Sequence, residues 1–408
     1  MTNWTTLHME VTTPLFNGDA DPEREAGGHP GVRVPSLRGA MRFWFRAFVG
    51  GVIGPDLALL ATLERTVFGS TDASCPVPLR IPNPPVQRAA RAEHLDRWIV
   101  YLLGQGLGDL RNQKASRPYV VPGDTFELQL RLRNAGRDRH VDENIGALTL
   151  ASLWLLSAYG GLGARTRRGF GGVRITGTEG WLPPPWTTES ILSPGLDHYE
   201  ARKFLWPDGA LGKCLVPLIK KHGIDYRNVW PVPPTFPVLH REHTIASVNG
   251  GGCFNAWSDT LSHAGQQLRH FRASEDYPGA NYGPKRKTPE WNDVIWGSGD
   301  HFPLGALGLP VVFKKNGPFV NVERQGDQLR RASPLWLRAV GSSDEWLLFS
   351  FAFLGEFLPG PDAPGVNLRN GNRPPKPLRV ETDDVRRLAK QWIAGTAADS
   401  SFVDTRRE

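Results

Sequence analysis

Between residues 160 and 176 the chain reads Gly-Gly-Leu-Gly-Ala-Arg-Thr-Arg-Arg-Gly-Phe-Gly-Gly-Val-Arg-Ile-Thr, and the segments on either side decide which folds can carry it. Asn144–Tyr159 before it is helix-like, whereas Gly172–Thr176 at its end alternates as a strand does. The order helix, Gly-rich loop, strand excludes a dinucleotide-binding turn, in which the pyrophosphate rests on the N-terminus of a helix that follows a strand. Gly161-Leu-Gly163-Ala-Arg-Thr166 also lacks the third glycine, and no Gly-Lys-Ser/Thr occurs for a nucleotide P-loop. What remains is a loop of six glycines, four arginines and one phenylalanine. Such a loop combines a backbone free to take positive φ with charge that meets phosphate closely. The stretch predicts a grip on a polyanion.

At 408 residues the chain exceeds one ordinary core, so two domains are expected. Its 35 prolines and 45 glycines predict long insertions between short elements. Lysine and arginine total 48 against 41 acidic residues, a formal +7 that favours an acidic partner. Cys75, Cys214 and Cys253 show no Cys-x-x-Cys spacing and suit a reduced cytosolic protein rather than a disulfide scaffold or zinc ribbon. No basic segment followed by an apolar run opens the chain, and no apolar stretch approaches the roughly 20 residues of a membrane span. The expectation is a soluble, cytoplasmic protein with no membrane partner.

Leu7, Met9 and Val11 alternate as one face of a first strand. Pro35-Ser36 opens a helix, with Ser36 as its N-cap, which Gly50-Gly51 is expected to stop. On that helix Leu37, Met41, Trp44 and Phe48 form one stripe, and Arg38, Arg42 and Arg46 another. Because no Asp or Glu lies between Glu25 and Asp56, the basic stripe is expected to have no local carboxylate partner. A short helix around Leu57–Thr66, an edge strand at Val77–Ile81 and an insertion over 83–118 follow. Phe126, Leu128, Leu130 and Leu132 then alternate strictly, ahead of the helix, the Gly-rich loop and the strand at Val173. The first 176 residues thus read β-α-β-β-α-β, with helices on one face of an antiparallel sheet.

A linker dense in proline and tryptophan is expected over 177–237. The second half, 238–408, offers strands at Leu239–Val248, Leu309–Phe313, Pro334–Val340 and Trp346–Phe353. It also offers a helix with Trp257, Leu261, Ala264, Leu268 and Phe271 on one face, and another at Asp383–Ala394.

Several strings resemble a known family. Thr13-Pro-Leu-Phe-Asn-Gly18, Val34-Pro-Ser-Leu-Arg-Gly-Ala-Met-Arg-Phe-Trp-Phe-Arg46, Phe68-Gly-Ser70 and Gly161–Gly171 are similar to signature segments of RAMP proteins. The Pro-Ser-Leu-Arg-Gly helix most resembles that of the first subunit of type III-B CRISPR (Cmr) effector complexes. Leu307-Gly-Leu-Pro310 and Arg331-Ala-Ser-Pro334-Leu are similar to second-domain segments of the same subunit. The resemblance implies an α+β chain of two ferredoxin-like (RRM-like, βαββαβ) domains forming a cleft, with insertions, and the Gly-rich loop at the cleft edge. It implies a role in binding RNA at the end of the particle that holds the guide's 3′ region and helps capture target RNA. It also implies that target cleavage belongs to another subunit. The chain departs from a simple RNA-recognition fold in having no aromatic pair of the usual kind on a strand.

Single-stranded RNA offers phosphates and unstacked bases, which arginines interleaved with aromatics can meet. The RNA-binding candidates are Arg33, Ser36, Arg38, Arg42 and Arg46 on and before the first helix. On the loop they are Gly163, Arg165, Arg167, Arg168, Gly169 and Phe170, and further on the basic run Lys285, Arg286 and Lys287. The expected partners are single-stranded RNA, guide or target, and the other Cmr subunits, with no cofactor. An endoribonuclease processing precursor RNA is the alternative, with His29, Asp19 and Asp21 as possible acid/base groups. His240 and His243, spaced i, i+3, have no evident third ligand and do not match the zinc-protease pattern, so no metal is expected.

Overall fold

Strand β1 (Thr5–Val11) buries Leu7, Met9 and Val11 on one side, as its period-two pattern requires. In the computed structural model, the described residues are 4–18, 31–87, 94–133, 138–193, 209–220, 232–249, 253–273, 289–313, 317–360 and 362–396. After β1 come α1 (Val34–Ile53), α2 (Leu57–Phe68), β2 (Leu79–Arg80), α3 (Arg97–Leu103), β3 (Gly108–Asp109) and β4 (Lys114–Ala115). β5 (Thr125–Leu130), α4 (Arg139–Ala158) and β6 (Val173–Glu179) complete the first unit. Its antiparallel sheet runs β2-β5-β1-β6, with Leu7 opposite Leu128, and Met9 opposite Phe126 on one side and Ile175 on the other. Those inward side chains share one core with α1 and α4.

Helix α1 does not stop at Gly50-Gly51. It begins one residue before Pro35, with no side-chain cap from Ser36, and runs on to Ile53. The two glycines serve packing instead. A Cβ on Gly51 would lie 2.0 Å from the Leu239 carbonyl oxygen, and the Leu239 N–H donates to Ala47 O at 2.8 Å.

The segment expected to be a linker contains packed structure. α5 (Thr188–Leu192) carries a capping box at Thr187 and Ser190. α6 (Ala210–Lys220) tolerates Pro217 and buries Leu211, Leu215, Leu218 and Ile219 in the α1–α4 core.

Beyond it come β7 (Thr244–Val248), α7 (Trp257–Ala273), α8 (Pro289–Trp296) and a 3-10 turn at Pro303–Leu307. Next are β8 (Val311–Val312), β9 (Phe319–Arg324), β10 (Asp327–Leu329), β11 (Leu335–Ser342), β12 (Glu345–Phe353), β13 (Gly365–Arg369), β14 (Lys376–Leu378) and α9 (Thr382–Thr396). They form two antiparallel sheets, β11-β12-β7 and β10-β9-β13-β14, with β8 also on β9.

The sheet β11-β12-β7 joins the two parts of the chain. Trp336, Phe349, Phe351 and Phe353 point into the α1–α4 core, whereas Leu335, Leu337, Leu348 and Ala352 point toward α7 and α9. Burial on both faces explains why β12 reads as an almost continuous apolar run. At the seam Trp336 stacks on Phe351 with centroids 5.6 Å apart, and Trp44 of α1 meets Trp336 at 5.3 Å. The insertion bearing α3 crosses over and joins the core of the second half, with Ile99, Leu102 and Leu103 beside Leu261 and Leu268. The chain is a mixed α/β protein with several antiparallel sheets. No helix among the described residues is long and apolar enough to cross a membrane.

Candidate nucleic-acid interface

The Gly-rich loop is pinned on both sides. Leu162 N donates to Gly171 O at 2.8 Å, Gly171 N to Pro14 O at 2.9 Å and Ala164 N to Phe16 O at 2.7 Å, tying it to the exit of β1. Leu337 N of β11 donates to Arg167 O at 3.1 Å, tying it to the second half. Gly163, at φ 81°, lies so close to the chain that a Cβ would sit 2.2 Å from Phe16 O. Gly169, at φ 86°, would press a Cβ to 2.4 Å from Leu261 Cδ2. Arg165 itself takes a left-handed φ of 63°, a conformation that costs a non-glycine residue about 1–2 kcal/mol. These glycines let a fixed loop thread between two halves.

Three arginines leave this loop half-buried. Arg165 donates to Gln105 O at 3.0 Å and Arg168 to Leu102 O at 3.1 Å, both just past or within the end of α3. Arg167 lies over the rings of Trp336 and Phe43 at 4.9 and 6.0 Å. None of the three has a carboxylate within ion-pair distance among the described residues. Their neighbours are more cations. Burial, then Arg272 and Arg165, push the Arg168 guanidinium down to about 10, against an opposing effect of Tyr101. Burial and then Arg167 push Arg331 down to about 10, and burial and then Arg330 lower Arg165. At neutral pH all of them remain charged. The result is a partly desolvated set of like charges whose repulsion an anion would relieve.

Arg338 of β11 looks similar in sequence but does something else. Its fully buried guanidinium, lowered to about 10 by desolvation, donates to Ser157 O at 2.6 Å and to Gly160 O. It caps the C-terminus of α4, where backbone carbonyls carry partial negative charge, and holds the start of the loop.

The arginine stripe of α1 departs from expectation. α2 supplies the carboxylate that the local sequence lacks: Glu64, 14% exposed, lies 3.4 Å from Arg42 Nη1 and 3.6 Å from Arg46 Nε. Arg42 also donates to Gly69 O at 2.9 Å. Arg46 stays about half exposed, Arg38 is partly exposed and forms no ion pair among the described residues, and Arg33 donates to Gly18 O. Ser36 sits partly exposed in the first turn of α1. Successive residues turn by about 100°, so Arg42 and Phe43 face different flanks of α1. The loop arginines therefore reach α1 through Phe43, not through the stripe.

Phe170 is fully buried against Phe16, with centroids 5.9 Å apart, and shows no face to solvent. Lys285, Arg286 and Lys287 lie outside the described residues, as do His29, Asp19 and Asp21. The groups that sequence reasoning passed over are Arg272, Arg330, Arg331 and Tyr101. The doublet Arg330-Arg331 and the Arg269/Arg272 pair on α7 were the signals available. His240 and His243, with ring centroids 5.1 Å apart, do have a third group beside them: their ligand atoms and the Glu242 carboxylate lie within 4.8 Å of one another and could hold a metal ion. Burial pushes the Cys214 thiol up to about 11, which leaves it unreactive.

The first unit of the chain, with the Gly-rich loop, matches one family model. Residues 8–174, from β1 to the strand after the loop, match the family model of the RAMP superfamily. Parts of the chain also resemble the first Cmr subunit. It is 33% identical over 148 residues to CRISPR system Cmr subunit Cmr1-1 of Pyrococcus furiosus, covering 36% of this chain and 41% of that relative. It is 29% identical over 185 residues to Cmr1-2 of the same organism, covering 41% of this chain and 92% of that relative. The crystal structure of Cmr1 from P. furiosus, in its apo form, superposes with a TM-score of 0.52 at 22% identity, covering 86% of this chain and 88% of that one.

Proposed function

We propose that the chain is a non-catalytic RNA-binding subunit of a type III-B CRISPR (Cmr) ribonucleoprotein, contacting guide RNA near its 3′ end, target RNA, or both. The observation that carries this reading is the set Arg165, Arg167 and Arg168, partly desolvated and without carboxylates among the described residues, with a further cation beside each: Arg330 beside Arg165, Arg272 beside Arg168 and Arg331 beside Arg167. Proteins hold such charge at a cost, and a phosphate backbone offsets it. The likeness to Cmr subunits supports RNA as that anion.

In this reading the other partners are the remaining Cmr subunits, and the protein works in the cytoplasm with no membrane and no cofactor. Two ferredoxin-like lobes, residues 1–176 and 238–408, flank the loop and join through 177–237. The order β2-β5-β1-β6 supports this for the first lobe, and the loop lies on the cleft between them. Arg38, Arg42 and Arg46, on another flank of α1, offer a separate basic strip, two of whose members Glu64 partly neutralises. Incubating the full chain with end-labelled single-stranded RNA tests the proposal. Retention of RNA at its original length supports it, and shortened products or no retention contradict it.

A further inference from the structure

The geometry points to a second nucleic-acid subsite, a guanidinium–indole platform of Arg97, Trp98 and Arg269 that continues the strand's path along the groove between α3 and α7. This rests on the RNA-binding reading above and extends it to residues that reading does not use. Trp98 is partly exposed, and two guanidinium groups lie over its ring, Arg97 at 4.1 Å and Arg269 at 5.1 Å. Residues three apart on a helix are neighbours. One turn from Trp98 along α3 is Tyr101, and one turn from Arg269 along α7 is Arg272. Tyr101 and Arg272 are the two groups, besides Arg165, close enough to Arg168 of the loop to influence its titration. Trp98 with Arg269 at one end, and Tyr101 and Arg272 both beside Arg168 at the other, thus lead from the platform to the loop cluster.

The platform is held in place before any ligand arrives. Asp96 caps α3 by accepting from Trp98 N at 2.8 Å, and Ser262 of α7 donates to the same carboxylate oxygen at 2.6 Å. Gly265 lets α7 approach so closely that a Cβ there would sit 2.3 Å from Trp98 O. Asp96 is thus engaged with the helix end and α7, and neither Arg97 nor Arg269 forms an ion pair with it or with any other described residue. Helix packing alone gives no reason to line this groove with cations. A guanidinium lying flat on an indole keeps its N–H edge free for phosphate, and ring and guanidinium planes are both surfaces on which unstacked bases rest.

The test uses the full chain and unstructured, labelled RNAs of about 6 and about 15 nucleotides, the span of known single-strand sites. Arg97→Gln with Arg269→Gln is expected to weaken the longer RNA about tenfold and to make its log–log salt slope shallower by about 1.4, two contacts at about 0.7 each. The shorter RNA, held by the loop alone, is expected to keep its affinity. Trp98→Leu should lose a similar factor and Trp98→Phe should restore most of it; if Trp98→Leu lowers the melting temperature, the arginine pair, which lies at the surface, decides. Unchanged affinity and slope for the longer RNA in the arginine pair, while Arg168→Glu still weakens both lengths, overturns the platform and leaves the loop assignment standing. Absence of binding to either RNA by the unaltered protein overturns both.

Discussion

The guanidinium of Arg167, on the Gly-rich loop, lies 4.9 Å from the ring centre of Trp336, on the strand that joins the two halves of the chain. The same ring stacks on Phe351 and touches Trp44 of α1. Cation and ring thus connect the seam between the halves to the charged surface above it. Trp336→Ala is expected to cost about 3–5 kcal/mol, in the range for removing a buried large aromatic, and to weaken RNA binding as well because Arg167 loses its support. Trp336→Phe keeps a face and should lose far less of both. Chemical denaturation and RNA titration on the same samples check the pair of effects; a stability loss without any change in affinity would show that the ring does not position Arg167.

Glu64 neutralises part of the α1 stripe, and its removal reports on whether that stripe meets RNA. Glu64→Gln is expected to raise affinity for single-stranded RNA a few-fold at low salt, because Arg42 and Arg46 are released from their ion pairs. An unchanged affinity would assign both arginines to holding α1 against α2.

Much of the first unit is legible in the sequence because its signals are local. Leu7, Met9 and Val11, and Phe126, Leu128 and Leu130, alternate because each strand has one buried face. The end of α1 is misleading because Gly50-Gly51 resembles a helix stop, and only the position of Leu239, far along the chain, shows that the glycines make room for another backbone. β9 (Phe319–Arg324) escapes notice for a different reason: it does alternate apolar and polar over Val320, Asn321, Val322 and Glu323, but all four are buried, and Glu323 is satisfied by Arg369 at 2.7 Å, a partner that no short window contains. The candidate interface divides the same way. Arg165, Arg167 and Arg168 are visible as a cluster, but Glu64, Arg272, Arg330 and Arg331 reach their partners through tertiary contacts that no short window contains.

Gly163 has no room for a side chain. Gly163→Ala combines a φ of 81° with a Cβ 2.2 Å from Phe16 O. It is expected to destabilise the protein by about 1–3 kcal/mol, the range for strained backbone, and to weaken RNA binding by displacing Arg165. Gly18→Ala, which meets nothing within 4 Å, serves as the control. Equal melting temperatures for the two variants would contradict a fixed loop.

Affinity for RNA is expected to stay flat between pH 6 and 8.5. Burial lowers the pKa of Arg168 and Arg331 only to about 10, so their protonated fraction falls only as pH approaches that value and binding weakens above it. For stability the sign is reversed. A cation whose folded pKa lies below its unfolded value opposes folding while protonated in both states, and that penalty is relieved as pH rises above about 10 toward the ordinary arginine value. A drop in affinity between pH 6 and 7.5, measured by fluorescence anisotropy, would point to histidine as the binding group instead.

The salt dependence of RNA binding, compared between the unaltered chain and Arg165→Gln/Arg167→Gln/Arg168→Gln, bears most directly on whether the loop arginines neutralise phosphate. Three lost contacts at about 0.7 each should make the log–log slope shallower by about 2, with the melting temperature maintained or raised as buried like charge is removed. An identical slope in the two proteins would contradict it.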